Sequence, residues 1–410
     1  MKILKVTQAY YPFLERGGQA GTVRELARGL AARGHQVTVL TADLGDGGRN
    51  DLGEESPWGW RSLAPNAETI YLRTLLSFRA LTLNPSLPSF CRRRLAEFDV
   101  VHIYGLYDLL GPTVARFSNR LGIPYLVEPM GMFHPIDRGF FLKNVWHRAL
   151  GRRMMRNASR IIATAEIERE ELIQGGIAAG RLLLRYNPVD AAEYRVLPPR
   201  GIFRNRWKIA PNEPLVLFLG RLIPRKGADL LIEAFADALP DEGVLVVAGP
   251  EGEAGYLNHL RAVATQCSLT ERVRFTGPLY GEDKKQVLAD ADLFVLPSSY
   301  ENFANAVAEA AASGVPVVVT DRCGIHSLVN HRAGLVVPRE REAVAGAIRA
   351  LVMSPALREQ LRAGCHGVTE ELGLEKIVSV LEGFYRECVD RGASAAGRKS
   401  GAESPSARCH

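Results

Sequence analysis

Leu215-Val216-Leu217-Phe218-Leu219-Gly220-Arg221-Leu222-Ile223-Pro224-Arg225-Lys226-Gly227 is the stretch that decides the fold. An unbroken apolar run that ends in glycine and is followed by helically spaced Leu230, Leu231, Ala234 and Phe235 describes a strand buried on both faces that turns into a helix. Repeated, that pattern is a βαβ unit in a parallel sheet. It does repeat: Val244–Ala248, Val273–Thr276, Leu293–Leu296, Val315–Val319 and Leu335–Val337 read as further strands, with helices between most of them.

The first half carries a second series. Lys2–Thr7 reads as a buried strand, Ala20–Arg33 as a helix stopped by Gly34, and Gln36–Thr41 as the next strand. Val100–Ile103, Tyr125–Val127, Ile161–Thr164 and Leu182–Leu184 follow, while residues 43 to 98 are less regular. Pro198, Pro199, Pro211 and Pro214 cluster in the stretch from 191 to 214, which separates the two series. The expected architecture is α/β, with two doubly wound Rossmann-like domains facing across a cleft. The expected spans are 1–197, 198–372, a C-terminal helix at 373–390 packing back toward the N-terminal domain, and a disordered Ser, Ala, Gly and Arg-rich tail at 391–410.

Composition agrees with a large globular enzyme. A chain of 410 residues exceeds the size at which single cores stop growing, and 47% hydrophobic with 23% charged residues is ordinary for folded domains. The net charge of +6 favours anionic partners without naming one. The cysteines at 91, 267, 323, 365, 388 and 409 show no CxxC spacing, so a reducing compartment is expected. No signal peptide or membrane-spanning run is legible, and the expected location is the cytoplasm, with the inner membrane face as an option.

Ligands of such sheets bind beyond the carboxyl ends of the strands, so residues just after strands carry the functional argument. Gly220 and Arg221 follow one strand, with Lys226 and Gly227 at the start of the next helix. A planar guanidinium and a point-charge ammonium together suit the two phosphates of a nucleotide diphosphate; alone they read rather as solvated loop cations, and the following segment reverses that preference. Beyond Leu293–Leu296 comes Pro297-Ser298-Ser299-Tyr300-Glu301-Asn302-Phe303, then a helix over 304 to 313 whose first N–H groups can receive an anion. That helix is small and apolar except for Glu309, a carboxylate that needs either a salt bridge to a neighbouring Arg or the hydroxyls of a ligand ribose.

The order Gly-Arg-Leu-x-x-x-Lys-Gly, Pro-Ser-x-x-Glu-x-Phe, a Glu eight residues after the first, and Gly-x-Pro-Val resembles the retaining GT-B glycosyltransferases of family 4. The N-terminal half resembles them in Gly17-Gly18 and in the stretch from Leu30 to Leu40. The resemblance implies that Arg221 and Lys226 hold the donor diphosphate as catalytic electrostatic groups, and that Glu301 meets hydroxyls of the transferred sugar. It further implies that Glu309 binds the ribose, that Phe303, Ala304 and Asn305 line the sugar and phosphates, and that Gly220, Gly249 and Pro250 lie near the nucleotide. Gly17 and Gly18 would let an N-terminal loop approach the diphosphate. The implied reaction moves a hexosyl unit from a UDP- or GDP-sugar to a glycan or lipid-linked acceptor with retention. It uses no cofactor and no metal.

The chain departs from the family where relatives carry Gly after the Phe, here Ala304, and where many carry a His, here Met130. Glu128 or His134 is the candidate group on the acceptor side, and His102 reads as a packed histidine. Asp290-Ala291-Asp292 has a metal-binding spacing but precedes its strand, at the end away from the site. From Arg138 to Arg160 seven basic residues and no acidic one interleave with apolar ones, which suits either an anionic membrane surface or a core-facing helix with a solvated basic face. Two other readings stand beside the transferase: a non-hydrolysing sugar-nucleotide epimerase, and a non-catalytic polyanion binder. No nucleic-acid partner is expected, because outside 138–160 the basic residues alternate with acidic ones.

Overall fold

The structure is a computed structural model describing residues 1–13, 18–43, 52–78, 81–133, 146 and 150–401. The chain divides into two compact units, Met1–Pro188 with Ile377–His410, and Val189–Lys376.

The first unit is built on a nine-stranded sheet. Its elements in chain order are β1 (Lys2–Thr7), α1 (Gly18–Ala32), β2 (Gln36–Ala42), β3 (Glu54–Ser56), β4 (Gly59–Ala64), β5 (Ala67–Leu72), β6 (Leu76–Phe78), β7 (Leu81–Leu83), α2 (Leu87–Arg94), β8 (Val100–Tyr104), α3 (Leu110–Leu121), β9 (Tyr125–Glu128), α4 (Arg152–Asn157), β10 (Arg160–Ala163), α5 (Glu166–Gln174) and β11 (Leu182–Leu184). The strand order β11-β10-β9-β8-β1-β2-β5-β4-β3 puts β1 at the centre. All pairs are parallel as far as β5, and β4 and β3 extend the sheet antiparallel. Continuous apolar strands are what a sheet covered on both faces requires, and β1, β8, β9 and β10 are buried almost throughout.

The second unit contains α6 (Ala191–Arg195), α7 (Ile202–Trp207), β12 (Leu215–Leu219), α8 (Ala228–Ala238), β13 (Val244–Ala248), α9 (Tyr256–Gln266), β14 (Val273–Gly277), α10 (Gly281–Asp290), β15 (Leu293–Leu296), α11 (Asn305–Ala312), β16 (Val317–Thr320), α12 (His326–Val329), β17 (Gly334–Val337), α13 (Arg341–Met353) and α14 (Pro355–Glu371). Its six-stranded sheet is wholly parallel, in the order β14-β13-β12-β15-β16-β17. The order reverses at β12 and β15, so the segments after these two strands share the switch point where such sheets bind ligands.

The division falls at 188/189 rather than at the expected 197/198. Val189 donates its N–H to Leu372 O at 2.9 Å and pairs with Gly373, so the chain is already committed to the second unit there. A final helix, α15 (Leu374–Gly401), belongs to the first unit from Ile377 onward. Residues 391 to 401, expected to be disordered, continue this helix. Extending an existing helix avoids the nucleation cost, and Ala and Arg propagate it well.

Candidate functional site

Gly220 and Arg221 leave the carboxyl end of β12 and run into a single 3-10 turn, Pro224–Lys226. This loop is stitched to the one after β13: Gly220 N–H donates to Ala248 O at 3.0 Å, Leu222 N–H to Pro250 O at 2.9 Å, and Gly252 N–H to Leu222 O at 3.1 Å. The approach is so close that a Cβ on Gly249, whose φ is +152°, would lie 1.8 Å from Gly220 O. On the other side Gly227, at φ +72°, sits where a Cβ would meet Pro297 O at 2.4 Å. Only glycine allows both contacts.

The loop after β15 is pinned equally well. Ser299 N–H donates to Arg225 O at 2.9 Å, Thr320 Oγ1 to Ser298 O at 2.6 Å, and Glu301 N–H to Arg322 O at 3.0 Å. Gly324 N–H then donates to Glu301 O at 2.9 Å. Three strand ends thus fix one another's backbones before any ligand arrives.

On this frame Lys226 Nζ and Glu301 Oε1 stand 2.5 Å apart, with side chains 16% and 12% exposed. Ser298 Oγ also donates to Glu301 Oε1, at 3.3 Å. Arg221 is exposed on the same loop. Phe303 is buried, and Ala304 precedes α11 with φ +77° and ψ +66°. That left-handed conformation is the physical reason glycine is common there, since an alanine costs about 1 kcal/mol or more. Asn305 opens the helix, and Glu309 stands four residues further on, one Oε1 being 3.1 Å from Lys284 Nζ of α10. Of the two readings left open for Glu309, the salt bridge is present, but to Lys284 rather than to the expected arginine. Lys284 was not singled out from sequence, because Glu282-Asp283-Lys284-Lys285 reads as a solvated helix start.

Among the first-unit candidates, Gly17 and His134 lie outside the described residues. Gly18 is the exposed first residue of α1. Glu128 departs from the expectation of an acceptor-facing group: it has 0% exposure, and Arg185 donates to its Oε1 at 2.5 Å. His102 Nε2 lies 3.3 Å from Glu128 Oε2 without hydrogen-bond alignment, and its Nδ1 meets the Tyr385 hydroxyl at 2.8 Å. Lys5 Nζ donates to the hydroxyls of Tyr104 at 2.5 Å and Tyr385 at 3.4 Å. Burial alone would raise the Glu128 carboxyl, but Arg185, His102 and Lys5 outweigh it and hold it below the usual range. Burial also lowers Lys5 to about 7 and His102 to about 4. Glu128 is therefore a sealed core carboxylate, and His102 is packed as expected.

Met130, in the position where many relatives carry a His, is half-buried with φ +55°. Asp290 and Asp292 are engaged structurally: Asp290 accepts from the Gly201 and Arg204 amides, Asp292 from Leu215 N–H and from the Arg204 guanidinium. Of the basic segment, α4 is described, with Met154 and Met155 buried and Arg152, Arg153 and Arg156 exposed, so that stretch faces the core. A cavity of about 290 Å³ lies at the amino ends of β1 and β2, but its Arg61 and Arg94 already pair with Glu68.

Residues 199–364 match the family model described as "Glycosyl transferases group 1", and residues 17–188 that of a "Glycosyl transferase 4-like domain". The D-inositol 3-phosphate glycosyltransferase of Jonesia denitrificans is 35% identical over 394 residues, covering 85% of this chain and 86% of its own. The GDP-mannose-dependent alpha-mannosyltransferase of Mycobacterium tuberculosis is 27% identical, with 82% and 84% covered. Among solved structures, Anabaena HepE in complex with UDP superposes with a TM-score of 0.76 at 22% identity, covering 94% of this chain and 100% of that one.

Proposed function

Because the chain belongs to the group 1 glycosyltransferases of GT4 type with the GT-B fold, we propose that the Lys226–Glu301 pair and Arg221 form its donor site for a nucleotide diphosphate sugar. Membership in a transferase family also removes the epimerase and polyanion-binder readings. The observation that carries the proposal is the 2.5 Å contact between Lys226 and Glu301 at the switch point of the second sheet. A lysine has three donors, so Lys226 can keep Glu301 and still bind a phosphate oxygen, while Glu301 retains lone pairs for a sugar hydroxyl. The pair thereby aligns the sugar with its leaving group.

In the reaction we propose, the C1–O bond to the diphosphate breaks and a bond from C1 to the acceptor oxygen forms on the same face. The acceptor proton passes to the departing diphosphate, so the anomeric configuration is retained and no enzymic nucleophile is needed. Arg221 and Lys226 stabilise the charge that grows on the leaving group, the role a metal fills elsewhere. Engagement of Asp290 and Asp292 by backbone amides supports the metal-free reading. Glu309 accepts ribose hydroxyls through the oxygen that Lys284 leaves available. The donor is a UDP- or GDP-hexose and the acceptor a glycan or lipid-linked hydroxyl. The M. tuberculosis relative named for GDP-mannose and the HepE complex with UDP support that range of bases.

A panel of UDP-, GDP- and ADP-sugars tests this: at least one binds or is slowly hydrolysed, and Arg221→Ala weakens it about 100-fold. Binding of none of the panel sinks the donor reading.

A further inference from the structure

Lys284 has a second neighbour. Its Nζ lies 5.7 Å from the centre of the Tyr194 ring. Tyr194, on α6, is 4% exposed, and α6 packs directly on α11, the helix of Glu309. Burial opposes the charge on Lys284, but Glu309 and Tyr194 outweigh it and hold the ammonium well above its usual range. Burial and then Glu309 push the tyrosine hydroxyl upward, so it stays neutral. Lys284 therefore keeps its charge and Tyr194 its proton.

A glutamate on a helix has three rotatable bonds, and an unanchored one is repelled by an approaching diphosphate. Anchoring one oxygen on Lys284 leaves the other at a defined place, but a lysine stem is itself flexible and needs a seat. The Tyr194 ring supplies one through cation–π attraction.

We propose that Tyr194 is a positioning residue of the donor site: it seats Lys284, which in turn fixes Glu309 for the ribose of the nucleotide. The inference rests on the reading of Glu309 as the ribose ligand. It adds a coupling, because α6 begins just after Val189, the residue anchored to Leu372 O at 2.9 Å. Nucleotide binding should then steady the segment by which the chain enters this unit.

The test uses the full chain with UDP, GDP and ADP, and follows affinity by calorimetry and backbone protection by hydrogen exchange. Glu309→Gln and Tyr194→Leu should each weaken the nucleotide that binds by about tenfold, the value of a lost charge-assisted contact. Tyr194→Phe, which keeps the ring, should recover most of that affinity. The donor KM should rise more than kcat falls, and nucleotide should protect residues 191 to 195 in the wild type but not in Lys284→Met. Wild-type affinity in Tyr194→Leu, with Glu309→Gln weakened, overturns the role of Tyr194 and leaves the ribose reading intact. Wild-type affinity in Glu309→Gln overturns both. Should Tyr194→Leu fail to fold, Lys284→Met decides, since undiminished affinity there overturns the proposal equally.

Discussion

Two carboxylates paired with cations stand at or beyond strand ends, and their surroundings differ. Glu128, the last residue of β9, has 0% exposure and is locked by Arg185, with His102, Lys5 and Tyr385 around it. Glu301, after β15, keeps 12% of its side chain open and holds a lysine that is 16% open. The first pair cannot exchange partners without opening the core. The second can share its lysine with a ligand at little cost. Strand-end position and charge are the same in both; access to solvent separates the sealed pair from the one proposed to bind the donor.

Removing the cation from each pair tests that difference. Arg185→Met leaves a buried carboxylate uncompensated and should cost the first unit about 3–5 kcal/mol, read by urea unfolding together with hydrogen exchange of β8 and β9. Lys226→Met should cost no more than about 1 kcal/mol of stability and yet lower donor turnover about 100-fold. Equal stability losses would erase the distinction.

The sealed cluster also makes a pH prediction that the open pair does not. Lys5 sits at about 7 in the fold, whereas an unfolded lysine titrates near 10.4. Between those values the unfolded chain binds the extra proton, so this group makes stability rise with pH, by at most about 1.4 kcal/mol per pH unit. The contribution is lost as the pH falls toward 7. Stability curves of the wild type and Lys5→Met should diverge across this window, and parallel curves would show that Lys5 is not the source.

The smallest expected effect concerns the open site's backbone. Ala304→Gly relieves a left-handed alanine and should raise the stability of the second unit by about 1 kcal/mol, measured as a shift in its thermal midpoint.

The strands of the second unit were legible nearly to the residue, because runs such as Leu215–Leu219 are apolar throughout and bounded by Pro or Gly. The β3–β5 extension was not, since β4 carries exposed Arg61, Ser62 and Leu63 and its pairing is antiparallel. Asp290-Ala291-Asp292 does precede β15, as its spacing to the apolar run Leu293–Leu296 indicated. Glu128 could not be judged from sequence because its partner Arg185 is 57 residues away. Lys284 and Tyr194 escaped for a related reason: neither lies in a motif, and only the packing of α6 on α11 and the ion pair that Lys284 of α10 makes with Glu309 bring them together.

Gly249 touches none of the charged groups discussed, yet a methyl group there would occupy the place of the Gly220 carbonyl oxygen. The loop bearing Arg221 would have to shift with every reactive side chain still present. Damage of this kind is invisible to an inventory of functional groups, and adding back charge elsewhere cannot repair it. A variant at this position therefore belongs with losses of the proposed donor site, even though glycine contributes no chemistry of its own.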